Sequence, residues 1–176
     1  MNILFKVALY VISIPARLKG MKFGKNSYIG PGYDCVGYVK FGGVTLGDNI
    51  AVGKRAWFDV SDGGKIDIGD NVNIGRDAVI VSKSSVKIGE GSLFSYRVSV
   101  IDHEHDFSIK PLGHHTKGAE PVIIGKNCFI GAGAFILKGV ELGDNCIVGA
   151  NAVVTKSFPQ NSLIGGAPAK LLKEKG

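Results

Sequence analysis

A strict period of six residues runs through the C-terminal half of the chain. Every sixth residue there is a bulky aliphatic, in the series Ile124, Ile130, Ile136, Leu142, Val148 and Val154. Glycine usually follows, as at Gly125, Gly131, Gly143 and Gly149, and the fifth position holds Cys128, Ala134, Val140, Cys146 or Ala152, with Phe158 as the exception. This period fits neither a helix nor a plain alternating strand. It predicts a β-solenoid of three hexads per coil, with the first and fifth positions inward and the glycines at the bends.

The same period is present earlier in the chain, with breaks in register. It is carried by Leu46, Val52 and Phe58, then by Ile68, Ile74 and Ile80, and then by Ile88, Phe94 and Val100. One predicted loop lies in 31–43. The largest interruption separates Val100 from Ile124 and contains all four histidines. Because insertions in repeat proteins tend to form loops on a functional face, we expect the chemistry to lie there.

The first 22 residues differ from the rest of the chain. An apolar run from Ile3 to Ile14 precedes Pro15, and the basic residues Arg17, Lys19, Lys22 and Lys25 follow it. The run is shorter than the ~20 residues of a membrane span and does not resemble a cleaved signal peptide. Two interpretations stay open, namely a helix lying in a membrane interface and a helix that covers the first coil or packs on a partner subunit.

The cysteine count indicates the redox state of the compartment, and the net charge indicates the kind of partner. Cys35, Cys128 and Cys146 are an odd number of cysteines without a secretory signal, which indicates a reducing, cytoplasmic compartment. Cys128 and Cys146 are 18 residues apart, so we expect buried thiols in neighbouring coils. The net charge of +6 suits an anionic cofactor or membrane, whereas no motif indicates a nucleic-acid partner.

The hexads, the sequence DHEHDF at 102–107 and the ending IGGAPAK at 164–170 resemble the hexapeptide-repeat acetyltransferases. The likeness is strongest to the maltose and galactoside O-acetyltransferases and the bacterial polysaccharide O-acetyltransferases, and it covers about 46–173. It implies an all-β, left-handed parallel β-helix, and the residues outside the hexads add a short N-terminal helix, one protruding loop and a short C-terminal helical tail. The implied segments are 1–22, 23–165 with its loop at 102–121, and 166–176. It also implies a homotrimer with active sites between subunits, in which 106–120 reaches toward a neighbour.

The resemblance implies that a loop histidine is the general base. His105 followed by Asp106 matches the family pattern, and His103, on the same side of an extended segment, is the competitor. A neutral imidazole can take the proton of a sugar hydroxyl as that hydroxyl attacks a thioester. Asp102, Glu104 and Asp106 are candidates to orient the ring. The family places an oxyanion-stabilising amide at Ala132.

The resemblance also implies acetyl-CoA as co-substrate and no metal. Its predicted contacts are Gly131, Ala132, Gly133, Gly149, Ala150, Thr155, Lys156, Lys170 and Lys173. The alternative is that glycine and alanine serve only the bends and that the lysines are merely solvated. Acceptor contacts are predicted at Arg76, Asp77 and Asp102. Gly75-Arg76-Asp77 replaces the Asn-rich segment of the family, so the acceptor stays open.

These features predict an acetyl-CoA-dependent O-acetyltransferase acting on a saccharide in bacterial surface polysaccharide biosynthesis. The protein is expected in the cytoplasm, at the inner membrane if 1–22 binds lipid. Alternatives are N-acetylation of an amino-sugar, serine acetylation and a non-catalytic assembly module. A carbonic-anhydrase-like metal site would need His103, His105 and His114, whose spacing does not fit that family. His114 and His115 are interpreted as solvated.

Overall fold

A computed structural model describes residues 3–36, 43–60, 63–111 and 115–174. The chain begins with α1 (Ile3–Ile12) and α2 (Ile14–Leu18). The first half then contains β1 (Lys22–Phe23), β2 (Tyr28–Ile29), β3 (Asp34–Val36), β4 (Val44–Leu46), β5 (Ala51–Val52), β6 (Trp57–Asp59), β7 (Lys65–Ile68), β8 (Asn73–Ile74), β9 (Val79–Val81), β10 (Ser85–Ile88), β11 (Leu93–Phe94) and β12 (Ser99–Ile101). The second half contains β13 (His103–His105), β14 (Thr116–Ala119), β15 (Val122–Ile124), β16 (Phe129–Ile130), β17 (Phe135–Ile136), β18 (Glu141–Leu142), β19 (Ile147–Val148), β20 (Val153–Val154), β21 (Ser162–Gly166) and β22 (Ala169–Glu174).

Three parallel sheets form the walls of a β-solenoid. Sheet A has the order β1-β4-β7-β10-β15-β18, sheet B the order β2-β5-β8-β11-β16-β19-β21-β22, and sheet C the order β20-β17-β12-β9-β6-β3. Each coil visits sheets A, B and C in turn, and every strand pairs with its counterpart in the next coil. The predicted parallel β-solenoid is therefore confirmed. Strand β3 lies within the segment 31–43 that the sequence predicted as a loop.

The interior is filled by the residues that the six-residue period places inward. Ile130, Ile136, Val148 and Val154 have no exposed surface, and Ile124 and Leu142 have almost none. The fifth-position residues are also buried, including both Cys128 and Cys146, which are free thiols. Each large corner side chain contributes about 1.5–3 kcal/mol relative to leaving it exposed. The inward assignment of both positions is confirmed.

Most of the glycines are needed because the backbones of neighbouring coils approach closely, more than because the chain bends there. A Cβ at Gly131 would lie 2.6 Å from the amide nitrogen of Ala150 in the next coil, so only glycine fits. The left-handed bend residues are mostly asparagines, and they comprise Asn26, Asn49, Asn71, Asn127, Asn145, Asn151 and Asn161. Several stack in a ladder, in which Asn49 Nδ2 donates to Asn71 Oδ1 at 3.1 Å. The hexad glycines thus lie directly before the turns, as predicted, while asparagine takes the left-handed position in most turns because it also tolerates positive φ.

The N-terminal helices cover the first coil. The backbone N–H of Ile29, on the terminal strand β2, donates to Ser13 Oγ at 3.1 Å. Ala16 is fully buried, and the Arg17 guanidinium lies 4.1 Å from the centre of the Phe23 ring. The covering role that the sequence allowed for this segment is therefore confirmed. Among the described helices, none is long and apolar enough to cross a membrane.

The described part of the C-terminal tail is a strand, so the predicted helical tail is wrong. Strand β22 pairs antiparallel with β21, with Gly165 opposite Lys170 and Gly166 opposite Ala169. Without β22, the last strand of sheet B would present a row of unpaired backbone groups. The chain reverses at Ala167 and Pro168 and satisfies them.

Candidate active site

The interruption between β12 and β15 is partly ordered as a β-hairpin. Strands β13 and β14 pair antiparallel, with His103 opposite Ala119 and His105 opposite Thr116. Lys138, from the following coil, forms ion pairs with Glu120 and Glu104 and so fixes the hairpin against the solenoid. The hydrogen bond to Glu120 is the main cause of the raised pKa of Lys138. The hairpin is thus held at the edge where sheet C leads back to sheet A.

Asp102 anchors the start of this hairpin. It has no exposed surface, and its carboxylate accepts hydrogen bonds from Ser82 Oγ and from the backbone N–H groups of Lys83 and Ser84, each at 2.8 Å. Its Oδ1 also lies 3.3 Å from Nδ1 of His103. The orienting role predicted for Asp102 is the one that this geometry supports. Because Asp102 has no exposed surface, its side chain cannot contact an acceptor directly.

His103 and His105 lie on the same side of the hairpin, as the sequence predicted. Their ring centres are 5.7 Å apart with the planes at 78°, an edge-on arrangement. The His103 side chain is only 7% exposed, whereas His105 is exposed to solvent. Asp102 therefore holds His103 in a fixed orientation, with Nδ1 toward the carboxylate and Nε2 left for other contacts. His115 is exposed, and His114 lies outside the described residues.

Some of the predicted cofactor residues and two of the predicted acceptor residues meet at a different edge, which we call the BC corner. It consists of the turns between sheet B and sheet C, at 31–32, 54–55, 76–77, 96–97, 132–133 and 150–151. Hydrogen bonds join these turns in a continuous column. The N–H of Asn151 donates to Ala132 O at 2.8 Å, and that of Gly133 donates to Tyr96 O at 3.0 Å. Ala132, Gly133 and Ala150 thus share one surface with Arg76 and Asp77.

The BC corner also carries an arginine cluster. Arg55 Nε and Nη2 donate to the two carboxylate oxygens of Asp77 at 2.6 and 2.8 Å. This fork-shaped contact lowers the pKa of Asp77 and raises that of Arg55. Arg76 Nε lies 3.8 Å from Asp77, and both Arg76 and Arg97 lie over the Tyr96 ring, at 5.8 and 5.4 Å from its centre.

The structure separates the remaining predicted cofactor residues. Lys170 pairs with Gly165 on the outermost strands of sheet B, beyond Gly149, and Lys173 lies farther along β22, opposite Leu163. Thr155 and Lys156 follow β20 and therefore lie at the edge of sheet C that carries the histidine hairpin. Ala150 and Thr155 are five residues apart, on the order of 15 Å at a rise of about 3.3 Å per residue. The predicted cofactor residues thus divide between the two edges of sheet C and the outermost strands of sheet B.

Sequence reasoning missed Ser82, Tyr96, Arg97 and Lys138. Tyr96 and Arg97 are 20 residues after Arg76 and Asp77, so a count by coil length would have placed them on the same corner. Ser82 and Lys138 carry no local signal, because their partners are distant in sequence. Among the described residues, no three His, Cys, Asp or Glu side chains are grouped as a metal site.

Comparison with known proteins gives matches over most of the chain. Residues 65–93 and 121–156 match the family model "Hexapeptide repeat of succinyl-transferase". The Escherichia coli K12 protein WbbJ, assigned to lipopolysaccharide biosynthesis as an O-acetyl transferase, is 33% identical over 76% of this chain and 72% of its own. The two segments that match the family model lie within the solenoid.

Solved structures match at the level of the fold and of the sequence. A galactoside acetyltransferase in complex with coenzyme A has a TM-score of 0.66 and 32% identity, over 73% of this chain and 64% of its own. A hexapeptide-repeat acetyltransferase from Vibrio cholerae, complexed with acetyl-CoA, has a TM-score of 0.65 and 27% identity, over 73% of this chain and 69% of its own.

Proposed function

Because the chain belongs to the hexapeptide-repeat acetyltransferases, we propose that it transfers an acetyl group from acetyl-CoA to a saccharide hydroxyl in the biosynthesis of a bacterial surface polysaccharide. The buried contact between Asp102 and His103 carries this proposal, because a solenoid scaffold has no need of an oriented imidazole beside its wall. The O-acetyl transferase assignment of WbbJ and the coenzyme A bound in galactoside acetyltransferase support it.

The geometry favours His103 as general base, although the sequence pattern favoured His105. With Nδ1–H donating to Asp102, Nε2 of His103 accepts the proton of the acceptor hydroxyl while its oxygen attacks the thioester carbonyl. The N–H of Ala132 donates to the oxyanion that develops. When the carbon–sulfur bond breaks, the coenzyme A thiolate takes the proton from His103, and the acetyl ester and free thiol leave. His105, exposed beside His103, contacts the acceptor.

Release of free thiol from acetyl-CoA in the presence of sugar acceptors tests this assignment. His103→Ala should reduce kcat by about 10²–10⁴-fold, the usual contribution of a general base. His105→Ala should change mainly the KM for acceptor. Loss of turnover in His105→Ala with retention in His103→Ala would reverse the two roles, and retention in both variants would refute the mechanism. Stabilisation of each variant by coenzyme A in thermal unfolding shows that its fold and cofactor site are intact.

We also propose that the active site is completed by a second copy of the chain in a homotrimer. Ala132 precedes β17 and His103 follows β12, and because these neighbouring strands are parallel, the two residues lie at opposite edges of sheet C. The separation is on the order of 20 Å, too far for both to act on one carbonyl carbon. Two variants inactive alone, His103→Ala and Ala150→Trp, should therefore regain part of the activity when their subunits are mixed. Mixed oligomers without activity would contradict a shared site.

Finally, we propose that the N-terminal helices dock on the anionic surface of the inner membrane. Their apolar side chains at spacings of three and four residues are exposed, namely Leu4, Val7, Val11, Ile14 and Leu18. Ser13 between the helices keeps helical dihedral angles, so these residues follow one face. Arg17, Lys19, Lys22 and Lys25 follow at the end of this apolar face. An exposed apolar face beside basic residues is typical of a helix that lies in a membrane interface.

A further inference from the structure

The two turn-bearing edges of sheet B carry opposite charge. At the BC corner, cations come from successive coils, in Lys54, Arg55, Arg76 and Arg97, against one acid, Asp77. The AB corner consists of the turns between sheet A and sheet B at 25–26, 48–49, 70–71, 90–91, 126–127 and 144–145. Its charged residues are the acids Asp48, Asp70, Glu90 and Asp144 and the cations Lys25 and Lys126. Of these two edges, the BC corner, beside the proposed acyl-transfer site, is therefore the one with a net positive charge.

The turns of the BC corner do not themselves require arginine at their left-handed positions. Arg55 and Arg97 have φ of 56° and 57°, in the left-handed region, where the AB corner uses asparagine or glycine. Such a conformation costs roughly 1–2 kcal/mol for a residue of this kind. The solenoid forms the same turn with asparagine at 151, so the fold itself does not need an arginine. Strained residues of this sort cluster at functional sites.

The side chains of Arg76 and Arg97 are arranged to receive an anion. Asp77 is occupied by the fork of Arg55, while Arg76 Nε lies 3.8 Å from it, longer than a hydrogen bond. The Arg76 side chain is 64% exposed. Both guanidinium groups lie over the ring of Tyr96, which limits their freedom before a ligand arrives. Guanidinium forks match phosphate oxygens in geometry as well as charge.

The column places these arginines at a defined distance from the acyl-transfer site. Gly133 N–H donates to Tyr96 O and Arg97 N–H donates to Arg76 O, so Arg97 lies one coil and Arg76 two coils from the 132–133 turn. Coils are about 4.8 Å apart. An anion bound by the two arginines would thus lie roughly 5–10 Å along the column from Ala132. One sugar ring between an anomeric phosphate and an acetylated hydroxyl spans a comparable distance.

We infer that Arg76 and Arg97 bind the diphosphate of a glycosyl diphosphate, and that this is the class of acceptor. The inference rests on the proposed acetyl transfer and names its substrate class. Nucleotide-linked and polyprenyl-linked sugars share this chemistry. Arg55, paired with Asp77, holds the turn in place beside the two ligand-binding arginines.

Direct binding tests the inference without acetyl-CoA. The probes are inorganic pyrophosphate, dTDP and geranyl diphosphate, titrated calorimetrically into the full chain at low salt. The variant Arg76→Gln/Arg97→Asn should bind all three at least about tenfold more weakly, as expected for the loss of charge-assisted hydrogen bonds. The control Lys87→Gln/Lys126→Gln, which removes the same charge from sheet A and the AB corner, should bind within twofold of wild type. A preference for dTDP or for geranyl diphosphate in the wild type identifies the carrier.

Other outcomes would overturn the inference. They are a wild type that binds none of the probes at millimolar concentration, equal weakening by both double variants, and loss of stabilisation by coenzyme A in the arginine variant. The last result would assign the arginines to the phosphates of coenzyme A. Failure of the proposed function is a separate result, because it appears as unchanged turnover in the histidine variants while diphosphate binding is retained.

Discussion

Nδ1 of His103 lies 3.3 Å from Oδ1 of Asp102, whose carboxylate is fully buried and also receives three hydrogen bonds from 82–84. The same carboxylate therefore joins two successive coils and orients the His103 imidazole. The side chain of His103 is nearly buried beside Asp102, whereas that of His105, on the same hairpin, is exposed to solvent.

Asp102→Asn should reduce kcat at least about tenfold with little change in the KM for acetyl-CoA. The amide cannot accept every hydrogen bond that the carboxylate accepts, so the His103 ring loses its fixed orientation. Steady-state thiol release measures both constants. The matched variant Ser82→Ala removes two hydrogen bonds, the one donated to Asp102 and the one accepted from the N–H of Lys65, at about 1 kcal/mol of unfolding free energy each, and should keep kcat within twofold. If kcat fell in both variants in proportion to stability, Asp102 would be only structural.

Gly131→Ala and Gly149→Ala should behave differently. The first places a Cβ 2.6 Å from the Ala150 nitrogen, and the forced shift between coils should lower the free energy of unfolding by about 1–3 kcal/mol. A Cβ at Gly149 meets its nearest atom, Ile164 O, at 3.4 Å, so that variant should unfold within about 0.5 kcal/mol of wild type. Denaturant unfolding measures both. Weaker stabilisation of Gly149→Ala by coenzyme A would support the cofactor surface, and unchanged stabilisation would count against it.

Stability should fall as pH rises above the ordinary thiol range. Burial raises the pKa of Cys128 to about 11, whereas an unfolded cysteine titrates near 8.5. Since the folded state holds the proton more tightly, its contribution is complete below about pH 8.5 and is lost progressively as pH rises toward 11. Urea unfolding at several pH values should show this loss. Cys128→Ala should show a smaller slope over the same interval, and an identical slope would contradict the assignment.

The apolar face of the N-terminal helices should bind anionic vesicles. The full chain should co-sediment with vesicles of phosphatidylglycerol and phosphatidylcholine more than with phosphatidylcholine alone, and less at high salt. Val7→Ser/Val11→Ser should lose this binding while keeping the contacts of Ser13 and Ala16 that cover the first coil. If the wild type did not co-sediment with vesicles and the variant had a different oligomeric mass in light scattering, the apolar face of the helices would be a contact between copies of the chain.

Several features were predictable because they depend on local spacing. The inward positions of Ile130 and Cys128, the joint coil position of Gly131 and Gly149, and the shared side of His103 and His105 all follow from counting residues. The tail was not predictable in this way, since Ala169, Leu171 and Lys173 have good helix propensity. The unpaired edge of β21 outweighed that propensity.

The six-residue period by itself determined the solenoid, its core and the stretch in which the histidines interrupt it, because each coil repeats the same burial pattern. Only the tertiary structure decided which histidine is held, which arginines share a corner, and that His103 and Ala132 occupy opposite edges of sheet C. Those relationships depend on breaks in register and on hydrogen bonds between coils. Residues joined by hydrogen bonds between coils are about 20 or more positions apart in sequence, whereas neighbouring coils are only about 4.8 Å apart in space.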